Sequence, residues 1–201
     1  ANRGAGTVSV FNVKDKRLEP AGTVDTGNAK SGPSGIVVLP MLHGPLGEDG
    51  TVQGMLELMD VPYVGSGVLA SAVAMDKGIA KQLLSGAGIP QAKHVTLHAD
   101  ECTGDTLAAV LADLGGDVFV KPANMGSSVG VSHADSTEAV VDAVALASRY
   151  DNWIVIEETV RAREIEVSVL GNRTPRASLP GEITPSKDFY DYADKYEDDA
   201  A

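Results

Sequence analysis

The chain has 201 residues, enough for one ordinary domain or two small ones. Its 16 Lys+Arg against 28 Asp+Glu give a net charge of −12, which argues against a nucleic-acid binder, whose affinity comes from a basic surface meeting phosphates. A hydrophobic content of 43% with 22 Gly and 10 Pro suits a globular α/β chain, and no apolar run reaches the roughly 18–20 residues of a membrane span.

The single Cys102 has no internal disulfide partner, and no basic-then-apolar leader opens the chain; both fit a cytoplasmic location. The chain starts on Ala1 and stops on Asp198-Asp199-Ala200-Ala201, without the cap or turn chemistry of a finished element, and is expected to be a fragment of a longer protein.

In chain order, residues 1–34 are rich in Gly, Thr, Asn and Lys, with one short strand expected over 7–13. The apolar run 36–39 ends at Pro40 and reads as a strand buried on both faces. A loop follows, His43-Gly44-Pro45-Leu46-Gly47-Glu48-Asp49-Gly50. A helix is then expected over 51–59, with Val52, Met55, Leu56 and Met59 on one face, and a short strand over 62–65. Strand, loop, helix, strand at this spacing is a βαβ unit with parallel pairing. One helix is expected over 69–85, stopped by Gly86, Gly88 and Pro90. Beyond it come a strand at 93–97, a helix at 105–114, a strand at 118–120 and a second strand at 129–132. Asp135 and Glu138 have the spacing of a capping box for the next helix. Residues 153–158 and 165–170 read as two adjacent strands. The boundary between the βαβ unit and the α+β half is expected near 66–72.

Lys121 ends the apolar strand Val118-Phe119-Val120 and meets Pro122, after which nearly every residue is small. Gly126-Ser127-Ser128-Val129-Gly130 offers backbone N–H groups and two hydroxyls without bulk, which suits wrapping phosphate oxygens beside a fixed ammonium. A plain β-hairpin with a Gly/Ser-rich turn and a solvated lysine accounts for the same residues. The strand Trp153-Ile154-Val155-Ile156 is apolar on both faces and ends in Glu157 and Glu158, the pattern of a buried strand opening into a polar cleft. Glu164, Glu166 and Ser168 alternate with Ile165, Val167 and Val169, as in a half-solvated strand. His43 lies in a glycine loop after a parallel strand, where α/β sheets place ligands, although a loop histidine is as readily only solvated. Lys77 lies within a helical stretch, where a surface lysine is the default, and Met75 beside it reads as core filling. Phe189, Tyr190, Tyr192 and Tyr196 crowd a stretch that also holds Lys187, Asp188, Asp191, Asp194 and Lys195, a composition that fits a lid over a ligand or a disordered tail.

Taken together, His43-Gly44-x-x-Gly47-Glu48-Asp49-Gly50, Met75-Asp76-Lys77, Lys121-Pro122-Ala123-Asn124-Met125-Gly126-Ser127-Ser128-Val129-Gly130, Glu164-Ile165-Glu166-Val167 and Phe189-Tyr190-Asp191-Tyr192-x-x-Lys195-Tyr196 resemble the D-alanine–D-alanine ligases of the ATP-grasp superfamily. The resemblance implies an ATP-grasp fold, α/β overall and α+β in its central part. It also implies a partial N-terminal substrate-binding domain at 1–66, a central subdomain at 67–161 and the start of a catalytic domain with its lid at 162–201. It implies ligation of two D-alanine molecules through an acyl phosphate, for peptidoglycan synthesis, by a cytoplasmic homodimer that binds neither nucleic acid nor membrane.

By position, Lys77, Lys121 and Lys195 match the family's ATP-phosphate lysines, Ser128 the phosphate loop, and Glu157, Glu158 and Val160 the adenine-contacting stretch. Glu164 matches the ribose-hydroxyl carboxylate. His43 matches the histidine near the first substrate, while Ser127 and Tyr196 match the hydrogen-bond network that closes the lid. The family's magnesium ligands, an Asp and a later Glu-x-Asn, are expected beyond Ala201, and its N-terminal glycine loop has no match in residues 1–35; alone, the chain is expected not to turn over. A D-alanine–D-lactate ligase and a non-catalytic nucleotide-binding remnant are the alternatives.

Overall fold

The computed structural model describes residues 36–183 in full and, as backbone only, 5–12 and 17–25. The described residues pack as two compact units. The first draws on residues up to Pro40 and on Met55–Gly65, the second on Met41–Gly54 and on the chain from Ser66 onward.

In the first unit, β1 (Ala5–Asn12) pairs antiparallel with β2 (Arg17–Asp25). The strand expected over 7–13 is thus present, shifted slightly toward the N-terminus. Its return strand was not legible, because Pro20 and Gly22 are poor strand formers. The register explains how they fit: pairing passes from Val8–Gly22 to Ser9–Pro20, so the proline sits at an irregularity of the ladder. Val38 and Tyr63 form a parallel bridge, with Val38 N–H donating to Pro62 (2.9 Å) and Val64 N–H to Val38 (2.9 Å). The parallel sense is as expected, but the pairing is one bridge long. Nor is the 36–39 run buried, since Ile36 and Leu39 are 52% and 62% exposed. Burial on both faces needs helices over the sheet, and among the described residues no such layer covers these side chains.

Helix α1 (Thr51–Leu58) buries Leu56 and leaves Met55, Leu58 and Met59 exposed, a narrower apolar contact than its sequence pattern implies. Its start is fixed by Asp49, whose carboxylate accepts from Thr51 N–H (2.9 Å) and Leu46 N–H (2.7 Å).

The second unit opens with two helices where one was expected over 69–85. Helix α2 (Val68–Met75) stops at Asp76, which is extended (φ −78°, ψ 103°), and α3 (Lys77–Gly86) restarts there. The local cause is Asp76 itself: its carboxylate accepts from Ile79 N–H (2.9 Å), an N-cap inside an otherwise helical sequence.

Strands β3 (His94–His98), β4 (Val118–Pro122), β5 (Ser132–Ala134) and β6 (Trp153–Glu158) form one antiparallel sheet in the order β3-β6-β4-β5. Helices α4 (Gly104–Asp113) and α5 (Thr137–Ala147) connect them. The expected strand at 129–132 begins only at Ser132, which lengthens the loop after β4. Ser136, rather than the Asp135/Glu138 pair, caps α5, its hydroxyl accepting from Ala139 N–H (3.2 Å).

Alternation along the strands divides the sheet. Val118, Val120, Ile154 and Ile156 are fully buried in one core with Leu107 and Leu111 of α4 and Val140 and Ala147 of α5. Each buried Val, Leu or Ile side chain contributes roughly 1.5–3 kcal/mol. Phe119 and Lys121 of β4 and Glu157 of β6 alternate with these residues and belong to the opposite face.

After β6 the chain forms a ribbon instead of a strand beside it. β7 (Glu164–Glu166) pairs with β10 (Gly181–Ile183), and β8 (Val169–Leu170) with β9 (Arg176–Ala177). The single strand expected over 165–170 is therefore two short ones, and neither pairs with β6. The interruption falls opposite Pro180, which has no N–H to give to a ladder.

Candidate active-site cleft

The sheet face opposite α4 and α5 forms part of a cleft of about 1280 Å³ within the second unit. It is lined by Lys77, Lys121, Ser127, Ser128, Glu157, Glu158, Val160 and Glu164, eight of the residues singled out from the sequence. They arrive from four places: the start of α3, the end of β4 with its loop, the end of β6, and β7.

Lys121 is held at the strand tip by alternation, and its ammonium pairs with the Glu157 carboxylate across the β4–β6 ladder. Its Nζ also stands 5.7 Å from the Phe119 ring centroid. Burial, then the like charges of Lys81 and Lys77, pull its pKa down to about 8, and Glu164 opposes them.

Lys77 is not the solvated helix lysine that its sequence context suggests. As the first residue of α3 it points into the protein, where its ammonium donates to the carbonyls of Pro122 (3.2 Å), Ala123 (3.3 Å) and Met125. Burial lowers its pKa, opposed by Asp76 and Asp151. The same loop is tied by Asn124, whose side chain donates to Asp76 (3.2 Å) and Asp151 (2.9 Å), and by Lys77 N–H donating to Ala123 (3.0 Å). The interruption at Asp76 thus creates the helix start that grips the loop.

Beyond this anchor, Ser127 (φ 52°) and Ser128 (φ 59°) are both left-handed, a conformation that costs a non-glycine residue of order 1–3 kcal/mol. Two such residues in succession place a strained turn on the cleft wall. The loop also runs close to the one containing His43: a Cβ added to Gly126 would lie 3.7 Å from both Gly44 Cα and the Glu48 carboxylate. Glu48 in turn accepts from Gly44 N–H (2.5 Å). His43 itself is exposed, on the residue before that contact, and does not line the cleft.

The end of β6 divides its two acids. Glu157 is 8% exposed and turned to the lysines, whereas Glu158 accepts from Lys93 N–H (2.7 Å) and lends β6 a second link to the start of β3. Val160, 59% exposed, and Glu164 leave an apolar contact and a carboxylate on the cleft wall. Two ammoniums, a small-residue loop, an apolar wall and an exposed carboxylate suit a nucleoside polyphosphate. Among the described residues no group of three or more His, Cys, Asp or Glu could hold a metal ion. Lys195 and Tyr196 lie outside the described residues.

Sequence reasoning missed several lining residues. Phe119 and His133 pack edge to face (5.3 Å between centroids), and His133 Nε2 lies 2.5 Å from Asp117, which also accepts from the Thr159 hydroxyl (2.6 Å). Lys81, whose ammonium meets Glu157 at 2.9 Å, was missed as well. Its only signal was a spacing of four from Lys77, which places both lysines on one helix face.

Residues 83–201 match the family described as D-ala D-ala ligase C-terminus, and residues 6–66 match D-ala D-ala ligase N-terminus. The D-alanine–D-alanine ligase of Bacillus pumilus is 54% identical over 165 residues, covering 81% of this chain and 46% of that protein. That of Streptococcus uberis is 51% identical over 162 residues, covering 81% and 47%. The chain therefore spans about half the length of the curated relatives that it matches.

Among solved structures, the D-alanine–D-alanine ligase of Coxiella burnetii aligns with a TM-score of 0.71 at 37% identity, over 85% of this chain and 52% of that one. The VanG D-Ala:D-Ser ligase of Enterococcus faecalis aligns with a TM-score of 0.71 at 33% identity, over 96% and 53%.

Proposed function

The chain belongs to the D-alanine–D-alanine ligase family and has its ATP-grasp fold, and on that premise we propose that it serves ATP-dependent ligation of two D-alanine molecules. ATP phosphorylates the carboxylate of the first D-alanine; the amine of the second attacks the acyl phosphate, giving D-alanyl-D-alanine, ADP and phosphate. The observation that carries this reading is the convergence of Lys77, Lys121 and the Ser127-Ser128 loop in one cleft.

Phosphoryl transfer is catalysed mainly by positioning and charge stabilisation, and each residue has a part in that scheme. Lys121 leaves Glu157 to meet a phosphate, and Lys77 holds the loop that follows. Ser127 and Ser128 present hydroxyls and backbone to the phosphates. The 157–160 stretch lies along the base, where Glu158 contributes backbone because its carboxylate is engaged with Lys93, and Glu164 accepts from the sugar hydroxyls. His43, carried on a loop that runs close to Gly126, faces the first substrate. Tyr196 joins Ser127 in closing the lid, and Lys195 adds a third ammonium. A closed lid protects the acyl phosphate from water.

Magnesium belongs to this proposal through the family alone. The described residues offer no cluster to hold it, and no step here is routed through it. In the functional division we propose, residues 1–66 serve substrate binding, 67–161 nucleotide binding and 162–201 the lid side of catalysis. D-alanine as second substrate, peptidoglycan synthesis, a homodimer and a cytoplasmic location are parts of the same proposal. No described helix is long and apolar enough to cross a membrane.

Calorimetric titration of ATP into this chain tests the core of the reading. Saturable binding that weakens about tenfold or more in Lys121→Ala is expected, the loss of one charge-assisted contact. Absence of binding by the wild-type chain, or equal binding by the variant, would sink it.

A further inference from the structure

The Glu157 carboxylate is shared. Lys121 of β4 takes Oε1 and Lys81 of α3 takes Oε2 at 2.9 Å, with the Glu157 side chain only 11% exposed. Lys81 stands one helical turn after Lys77 on the same face of α3. The helix is therefore fastened twice: Lys77 to the carbonyls after β4, Lys81 to β6 through Glu157.

We propose that Lys81 is a positioning residue for the nucleotide site, keeping the buried Glu157 carboxylate paired when Lys121 leaves it for a phosphate. This rests on the nucleotide reading above. The physical problem is one of exchange. An ammonium already bound to a buried carboxylate can turn to an incoming phosphate only if the carboxylate is not stranded, because an uncompensated buried charge is strongly unfavourable. Lys81 solves it by holding the second oxygen throughout. It also divides the carboxylate, so that Lys121 is held by one oxygen and is easier to release. Lys81 acts through Glu157, and its own contact is to that side chain.

The test is a double-mutant cycle read by ATP affinity. Lys81→Met is expected to weaken binding about ten- to a hundredfold, since Glu157 then clings to Lys121 or is stranded when it leaves. In a Glu157→Gln background the same substitution should change affinity by less than about threefold, because a neutral amide needs no counter-charge. A second readout is the pH profile of binding. Lys121 is faced by Glu157 from β6, Lys81 and Lys77 from α3, and Glu164 from β7. Removing the Lys81 charge raises the pH at which Lys121 deprotonates, so the alkaline fall in affinity should move to higher pH in Lys81→Met. Loss of a packing contact alone would not move it.

If Lys81→Met does not unfold cooperatively, Lys81→Gln carries the cycle with the same expected pattern. Unchanged affinity in the single variant overturns the proposal. So does a full loss that persists in the Glu157→Gln background, which would mean that Lys81 meets the nucleotide directly. A wild-type chain that binds no ATP overturns the nucleotide reading and this proposal with it, whereas wild-type binding with an unaffected variant overturns this proposal alone.

Discussion

Lys93 and Glu158 hold each other twice: Glu158 N–H donates to the Lys93 carbonyl (2.9 Å), and the Glu158 carboxylate accepts from Lys93 N–H (2.7 Å). The second bond extends the β3–β6 pairing by a side chain at the point where β6 meets the cleft. Glu158→Ala should lower stability by about 1 kcal/mol, a charge-assisted bond discounted for partial exposure. ATP affinity should stay within about threefold, because the proposed nucleotide contact at this position is through backbone. Urea unfolding and ATP titration of one variant check both. A large affinity loss with unchanged stability would reverse the assignment.

On the proposed reading, Lys121 should make nucleotide binding pH-dependent. With its pKa near 8 in the unliganded protein, it must be protonated to meet a phosphate, and the phosphate then holds that proton. Affinity should therefore be flat below about pH 7 and fall above pH 8, by up to about tenfold per unit for one coupled proton. The sign for folding is opposite. The unfolded chain keeps the proton to about 10.5, so between pH 8 and 10.5 it binds more protons than the folded chain. The contribution of this residue to stability rises with pH across that window. ATP titrations from pH 6.5 to 9.5 read the first effect, with Lys121→Met losing the slope.

Backbone conformation at Ser128 can be separated from its hydroxyl. Ser128→Gly and Ser128→Val both remove the hydroxyl, but only valine is penalised at φ 59°. The glycine variant should be the more stable of the two by about 1–3 kcal/mol in denaturant unfolding. Equal stabilities would mean that the loop takes another conformation.

Gly130 should tolerate no side chain. It is left-handed (φ 72°), and a Cβ there would lie 2.7 Å from the Tyr150 ring and 3.2 Å from Pro122. Gly130→Ala should cost about 1–3 kcal/mol. The same change at Gly126, whose added Cβ would meet its neighbours no closer than 3.7 Å, should cost less than about 1 kcal/mol. Paired thermal unfolding of the two variants gives the comparison.

The antiparallel half of the fold was legible because its signals are local. The run from Trp153 to Glu158 has a composition that names both its burial and its polar end, and Gly115-Gly116 close α4. What escaped depended on partners distant in the chain. Asp76 looks like one more helical residue until its carboxylate is seen capping a new helix. Lys77 and Lys81 look like ordinary surface lysines until the carbonyls beyond β4 and the Glu157 carboxylate are placed against them. The phosphate-loop reading of 121–130 needed only neighbours in sequence; the buried charge network beneath it needed residues far apart in the chain, from α3 to the end of β6.

The order of strands has a consequence during synthesis. Central β6 is the last of the four to leave the ribosome, and it alone pairs with both β3 and β4. Until about residue 158 has emerged, β3 lacks its only partner among the described strands and β4 lacks one of its two. At ordinary elongation rates of roughly 5–20 residues per second, the 54 residues between His98 and Trp153 leave that edge open for several seconds. Val118, Val120 and the apolar faces of α4 and α5 are exposed for part of that interval. Completion of the sheet that carries Lys121 and Glu157 thus waits for β6, and a chaperone that shields nascent sheet edges would act just before it.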